Sequence, residues 1–123
     1  MRRLALVLLF VMIYVGTTRG ADWPQFRGPS RDGISRETGL LQTWPEGGPG
    51  VVWRSDGIGY GWSSVSVTAG AIYTTGVIED TLTVTALDLA GKVSWKRRLE
   101  PATEGSGYKG SRSTPTVDGD RLY

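Results

Sequence analysis

Residues 63–73 read SSVSVTAGAIY and residues 113–123 read STPTVDGDRLY, so the same order of residue types returns after 50 positions. Each stretch starts with small polar residues, passes through a turn that contains Gly, and ends on an apolar residue followed by Tyr. Alternation with a period of two is typical of β-strands, and Gly favours the tight turn of a hairpin. The two stretches therefore predict two copies of one β-hairpin.

The sequence between these copies continues in short strands. Residues rich in β-branched side chains and Tyr, separated by turn residues, predict strands over 63–67, 71–77, 81–87 and 92–98. A further strand is predicted over residues 51–56, and no stretch after Ala21 has the pattern of an amphipathic helix. The expected fold class is all-β, with a four-stranded antiparallel meander over residues 63–98.

A four-stranded unit that starts again at this spacing is typical of a β-propeller blade. Residues 63–98 would form the first full blade and residues 112–123 the start of the next, so only about one and a half blades are expected. A blade buries its two faces only against neighbouring blades. We therefore expect the N-terminal fragment of a longer protein; the alternative is a complete small β-sandwich.

The turn between the third and fourth predicted strands carries the most specific motif. Residues 86–95 read ALDLAGKVSW, with Asp88 and Gly91 in the turn and Trp95 on the following strand. Asp88 suits a turn because its carboxylate accepts hydrogen bonds from backbone amides, and Gly91 suits positive φ. Trp53 stands in a similar strand context 42 positions before Trp95. All four residues are predicted to be structural, with both Trp rings packing against neighbouring blades.

This stretch resembles the A-x-D-x-x-T-G-K-x-x-W repeat of pyrroloquinoline-quinone-type (PQQ-like) propellers, with one spacer residue fewer and Ala90 where that family has Thr. The opening DWPQFRGP, residues 22–29, also resembles the start of exported proteins of this type. The resemblance implies a quinoprotein alcohol dehydrogenase-like ring of about seven or eight blades. Residues 51–56 would then be the outer strand that closes the ring. WD-type repeats fit less well, because their Gly-His and Trp-Asp pairs are absent.

The N-terminus is predicted to be a signal peptide over residues 1–20. Arg2 and Arg3 precede the uncharged run 4–15, and small residues follow. A retained N-terminal anchor is the alternative, although the run is shorter than the ~20 residues of a membrane span. Removing these residues takes away three of 14 basic and none of 12 acidic residues, so the formal charge falls from +2 to −1. The mature chain therefore gives no electrostatic reason to expect nucleic acid, and no membrane span is predicted in it.

Residues 21–50 contain many Pro and Gly turn signals and predict an irregular arm that packs along a larger body. The chain contains no His, no Cys and no Asn. A Ser-His-Asp triad, a thiolate site and a disulfide within this chain are thereby excluded. No catalytic residue and no metal ligand is predicted.

The resemblance implies two kinds of exported protein. One is a non-enzymatic scaffold in the periplasm, the cell envelope or outside the cell, which binds a protein or polymer partner on the propeller face. The other is a dehydrogenase of alcohols or sugars that uses PQQ and Ca²⁺, with catalytic residues beyond residue 123. The scaffold is preferred, because the Asn and Cys positions of the enzymes have no match in this sequence and no cofactor is evident.

A ligand face would be lined by the first strand of each unit and by the loop that enters it. The residues concerned are Tyr60, Trp62, Ser63, Ser64, Lys109, Arg112, Ser113 and Thr114. Among them Trp62 and Arg112 are the candidate cofactor-binding residues, since an indole can stack on a planar group and a guanidinium can pair with an anion. The more ordinary alternatives are that Trp62 packs between blades and that Arg112 pairs with a nearby acid. Residues 79–80 and 118–120 are expected to be turns, rather than part of a Ca²⁺ site.

Overall fold

The computed structural model describes residues 20–102 and 108–123, and this part of the chain contains β-strands and no helix. The predicted all-β class is confirmed. The strands are β1 (Ser66–Thr68), β2 (Ala71–Ile78), β3 (Thr81–Asp88), β4 (Val93–Pro101), β5 (Val117–Asp118) and β6 (Arg121–Leu122). The predicted signal peptide, apart from Gly20, lies outside the described residues.

Strands β1 to β4 form one antiparallel sheet in the order β1-β2-β3-β4, as the predicted meander requires. Two-residue turns join the first three strands, at Ala69-Gly70 and Glu79-Asp80, and all four residues have positive φ. Two successive positive φ values give the turn a twist that matches that of the flanking strands. The sheet is therefore built from hairpins whose pairing is local in sequence.

The strand bounds differ from the prediction at both ends of the sheet. The first strand begins at Ser66 rather than at residue 63, and the last extends to Pro101 rather than ending at residue 98. Pairing continues because a register shift lets Pro101 face Thr81. This extra residue in β4 is a bulge, which bends the edge strand and increases its local twist.

Residues 51–56, which are predicted to form a strand, pair with no strand among the described residues. The segment instead contacts the sheet through a side chain. Trp53 Nε1 donates a hydrogen bond to the Leu89 carbonyl at 3.0 Å, and its ring lies directly against Gly91. Side-chain contacts of Trp53, rather than backbone pairing, hold residues 51–56 on the sheet, and the ring-closing role stays a prediction.

The core lies in the two central strands. Its buried apolar residues all belong to β2 and β3: Ile72, Val77, Val84, Ala86 and Leu87. Buried Thr side chains alternate with them, and β4 is exposed along nearly its whole length. Every residue of β3 from Thr83 to Leu87 is buried, so both faces of this strand are covered, whereas β2 alternates buried and half-buried residues from Ala71 to Gly76.

The second hairpin repeats the pairing of the first. In β1 and β2 the pairs are Val67–Ile72 and Thr68–Ala71, and in β5 and β6 they are Val117–Leu122 and Asp118–Arg121. Every residue of the second set stands 50 positions after its counterpart in the first. The sequence echo therefore corresponds to one hairpin register used twice.

Candidate functional site

The two repeats meet at residues that are equivalent in sequence. Gly61 and Ser111 form a parallel bridge, in which Trp62 N donates to the Ser111 carbonyl at 2.5 Å. Three residues further on, Ser64 N donates to Thr114 Oγ1 at 3.0 Å. Both contacts join positions about 50 apart, so the two entering segments run side by side in the same direction.

Gly61 makes the close approach possible. A Cβ at this position would lie 2.6 Å from the Ser111 carbonyl oxygen and 2.7 Å from the Ser111 nitrogen. The φ of Gly61 is +158°, at the edge of the region that residues with a side chain rarely adopt. Only glycine satisfies both conditions, which fixes where the two repeats touch.

A short chain of hydroxyl groups holds the second repeat against β2. Thr75 Oγ1 donates to the Ser113 carbonyl at 2.6 Å and lies 2.5 Å from Ser111 Oγ. A Thr hydroxyl has one proton, so the proton between the two hydroxyls belongs to Ser111. Ser111 is buried, and this directed pair orients its side chain.

Tyr60 and Trp62 lie at the end of the sheet that carries the Glu79-Asp80 turn. Tyr60 exchanges two backbone hydrogen bonds with Val77, at 2.9 and 3.1 Å, and Ser63 Oγ accepts one from Thr75 N at 3.4 Å, so Trp62 lies in the segment that runs beside β2. Trp62 is 64% exposed, so it is not packed between the two repeats of the described chain. Its indole contacts Tyr108 edge to face, with ring centroids 5.2 Å apart.

Tyr108 was not among the residues that the sequence pattern predicted. It occupies, 50 residues on, the position of Ile58, so repeat alignment gives no aromatic signal there. The same alignment does place Arg112 at the position of Trp62. Only the folded chain brings Trp62 and Tyr108 into contact, since the pairing depends on the parallel bridge between the repeats.

Arg112 lines an open cleft of about 210 Å³ together with Tyr108 and Ser111. Glu100 and apolar residues of β2, β3 and the end of β4 also line the cleft. Arg112 is exposed and makes no ion pair with a described residue, so the predicted pairing with a nearby acid is not found in this part of the chain. Trp62 does not line the cleft; it contacts Tyr108, which does.

The N-terminal arm contacts the opposite end of the two repeats. Trp23 exchanges backbone hydrogen bonds with Val67 at 2.6 and 2.8 Å, and the Pro24 carbonyl accepts one from Val117 N at 2.8 Å. Val67 and Val117 are equivalent positions, so consecutive arm residues contact consecutive repeats. Asp22 adds hydrogen bonds from Thr68 Oγ1 and Ala69 N, at 2.7 and 3.3 Å.

The turn motif has a definite geometry. Asp88 Oδ1 accepts hydrogen bonds from Ala90 N at 2.9 Å and Lys92 N at 3.0 Å, and Gly91 has a φ of +79°. Trp95, in contrast, is 44% exposed, and its ring lies 6.1 Å from that of Tyr73 on the same sheet. The turn is therefore closed by its own residues, whereas one side of Trp95 faces solvent.

The acidic pairs of the turns are solvated. Glu79 forms an exposed ion pair with Arg98 at 3.1 Å, and Asp118 and Asp120, at the end of β5 and in the β5–β6 turn, are exposed. Across residues 20–102 and 108–123, no group of three or more acidic, His or Cys side chains is placed to hold a metal ion. Nor does any helix in the described part of the chain have the length and hydropathy needed to cross a membrane.

Comparison of the chain with protein-family models, with curated proteins and with solved structures gave no match.

Proposed function

We propose that this chain is the N-terminal part of an exported, PQQ-like β-propeller that acts as a binding scaffold in the periplasm or cell envelope. The observation that carries the proposal is the parallel bridge between Gly61 and Ser111, equivalent residues 50 positions apart. Propeller blades stand around one axis, so their innermost strands are parallel neighbours. A face-to-face sandwich of two sheets does not require equivalent residues to meet in this way.

The contact of Trp53 supports the same arrangement. Its indole lies on the Leu89–Gly91 turn of the four-stranded sheet. Trp95 stands 42 positions later in a similar stretch, on the outer strand β4. In a ring of blades, Trp95 would contact the corresponding turn of the next blade as Trp53 contacts this one, and residues 51–56 would belong to the last blade.

The binding role rests on exposed residues at the end of the sheet where the repeats touch. Tyr60, Trp62 and Tyr108 are all exposed there, and Arg112 stands beside them without a described ionic partner. Trp, Tyr and Arg are the residue types that dominate binding energy at protein interfaces. These residues therefore favour the binding of a protein or polymer partner on this face as the function.

Site-specific photo-crosslinking in intact cells tests the scaffold. A photoreactive amino acid replaces Trp62 in the full-length protein, and a matched variant carries it at Leu41, an equally exposed apolar residue of the arm. We expect a discrete adduct from position 62 alone, weakened several-fold by Arg112→Glu. Equal adducts from both positions, or none from position 62, would contradict the proposal.

A quinone assay separates the scaffold from the dehydrogenase that the resemblance also implies. The described residues do not by themselves supply a Ca²⁺ site. The full-length protein is mixed with PQQ and Ca²⁺ and assayed with a redox dye on alcohols and sugars. The scaffold predicts neither bound quinone nor turnover; either result would replace it with the enzyme.

A further inference from the structure

We propose that the cleft beside Arg112 binds a small zwitterion, namely a free α-amino acid. The inference goes beyond the proposed function, because it assigns a small-molecule ligand to a cleft on the same face. It goes further in naming two charges of opposite sign that the ligand must carry. The cleft, with Arg112 and Glu100 among its lining residues, is the feature from which it follows.

The charged residues that line the cleft form no ion pair with a described residue. Neither Arg112 nor Glu100 makes an ion pair with a described residue, although both line one cleft of about 210 Å³. The neighbouring Arg98 behaves differently, since it binds Glu79 at 3.1 Å and Thr81 Oγ1 at 2.8 Å. The cleft therefore has one cationic and one anionic lining residue without an ionic partner among the described residues.

A zwitterion fits this pair better than a simple anion does. The guanidinium of Arg112 matches a carboxylate, with which it can form two parallel hydrogen bonds. A ligand that carried only negative charge would be repelled by the Glu100 carboxylate where Glu100 lines the same cleft. An α-ammonium group in that place turns the repulsion into attraction.

The size and lining of the cleft limit the rest of the ligand. Sites for drug-sized ligands have volumes of roughly 300–1,000 Å³, so a cleft of about 210 Å³ suits a smaller molecule. Val77, Leu82 and Pro101 give it an apolar side, which suits an aliphatic side chain. An amino acid such as leucine satisfies the charges and this apolar side together.

Two contacts keep the cleft in shape without a ligand. Trp62 packs edge to face on Tyr108, with centroids 5.2 Å apart, and so restricts the Tyr108 ring that lines the cleft. Thr75 Oγ1 accepts a hydrogen bond from the Ser111 hydroxyl and donates one to the Ser113 carbonyl. These contacts reduce the ordering that ligand binding would otherwise require.

Calorimetry on the full-length protein with three probes tests the ligand class. Leucine carries both charges, N-acetylleucine lacks the ammonium group, and leucinamide lacks the carboxylate. Because exposed ion pairs are individually weak, we expect leucine to bind with a Kd of about 0.1–1 mM. Each blocked probe should bind at least about tenfold more weakly. Equal binding of the three probes, or no leucine binding at about 10 mM, would overturn the inference.

Matched variants assign the two charges. Glu100→Gln should abolish the preference for leucine over N-acetylleucine, and Arg112→Gln the preference over leucinamide. The controls Glu46→Gln and Arg121→Gln, at exposed positions away from the cleft, should leave both preferences unchanged. Preferences that survive Glu100→Gln and Arg112→Gln would refute the assignment.

The crosslinking experiment at position 62 tests the scaffold separately from leucine binding. A crosslinked adduct without leucine binding would reject the amino-acid ligand and still support the scaffold.

Discussion

Gly61 and Ser111 are bridged in parallel, and they occupy the same position in two repeats that are 50 residues apart. At the other end of the repeats, Val67 and Val117 are also equivalent, and both bind the arm, at Trp23 and Pro24. The two hairpins are therefore joined at both ends by contacts that involve equivalent residues of the two repeats. This correspondence depends on backbone groups, so it does not require identical side chains.

Gly61→Ala should destabilise the protein, because a Cβ at this position would lie 2.6 Å from the Ser111 carbonyl oxygen. We expect a loss of about 1–3 kcal/mol, the range for a backbone position that the new residue cannot adopt without strain. Thermal unfolding of the full-length protein measures it. Gly50→Ala is the control, since Gly50 has no positive φ and nothing within 4 Å, and it should change stability by less than about 0.5 kcal/mol. Equal effects of the two changes would show that the repeats are not in close contact at Gly61.

Trp53→Ala should destabilise the protein by about 2 kcal/mol, less than the 3–5 kcal/mol typical of a fully buried aromatic residue. The ring rests on Gly91 and its Nε1 donates to the Leu89 carbonyl at 3.0 Å, but Trp53 is 40% exposed. Denaturant unfolding checks the value. Trp44→Ala provides the comparison, because Trp44 is 70% exposed in the arm, and it should have little effect. A neutral Trp53→Ala would mean that residues 51–56 are not held by this contact.

The sequence predicts the hairpins well because their determinants are local. Turn residues such as Ala69-Gly70 and the β-branched residues of β2 and β3 specify strand and turn within a few positions. Residues 51–56 have the same strand composition, yet they form no ladder among the described residues. Backbone pairing needs a partner strand, which composition does not supply. The strand prediction for residues 51–56 therefore stays a prediction, because the partner strand that it requires is not among the described residues.

The candidate site was predictable only in part. Trp62 and Arg112 are marked by their position at the entry to each repeat, and the structure places both at the end where the repeats touch. Tyr108 and Glu100 complete the cleft, but neither has a counterpart of its own type in the other repeat. Their meeting depends on the path between β4 and the second repeat, which short-range patterns do not determine.

Asp88→Ala should cost about 1–2 kcal/mol, because two amide hydrogen bonds to its carboxylate are lost in a partly exposed turn. Asp88→Asn is the matched control, since it retains an oxygen that can accept from Ala90 N and Lys92 N. It should recover at least half of the loss. Chemical denaturation of both variants gives the comparison. If Asp88→Asn were as destabilising as Asp88→Ala, the amide contacts would not be the source of the stability.

Trp95→Ala discriminates the proposed ring from a free sheet edge. Within the described chain Trp95 is 44% exposed and its ring lies 6.1 Å from that of Tyr73, so on a free edge its loss should cost at most about 2 kcal/mol, as for the similarly exposed Trp53. If Trp95 instead docks on the next blade as Trp53 docks on Gly91, its ring is buried, and truncation should cost about 3–5 kcal/mol. We expect the larger value in the full-length protein, measured as a lowered melting temperature.

Lys96→Ala on the same strand is the control. The Lys96 ammonium group donates to the Gly57 carbonyl at 2.6 Å in an exposed contact, so this substitution should lower the stability only slightly. An unchanged melting temperature for Trp95→Ala would remove the docking contact and, with it, the main reason to expect a neighbouring blade on that side.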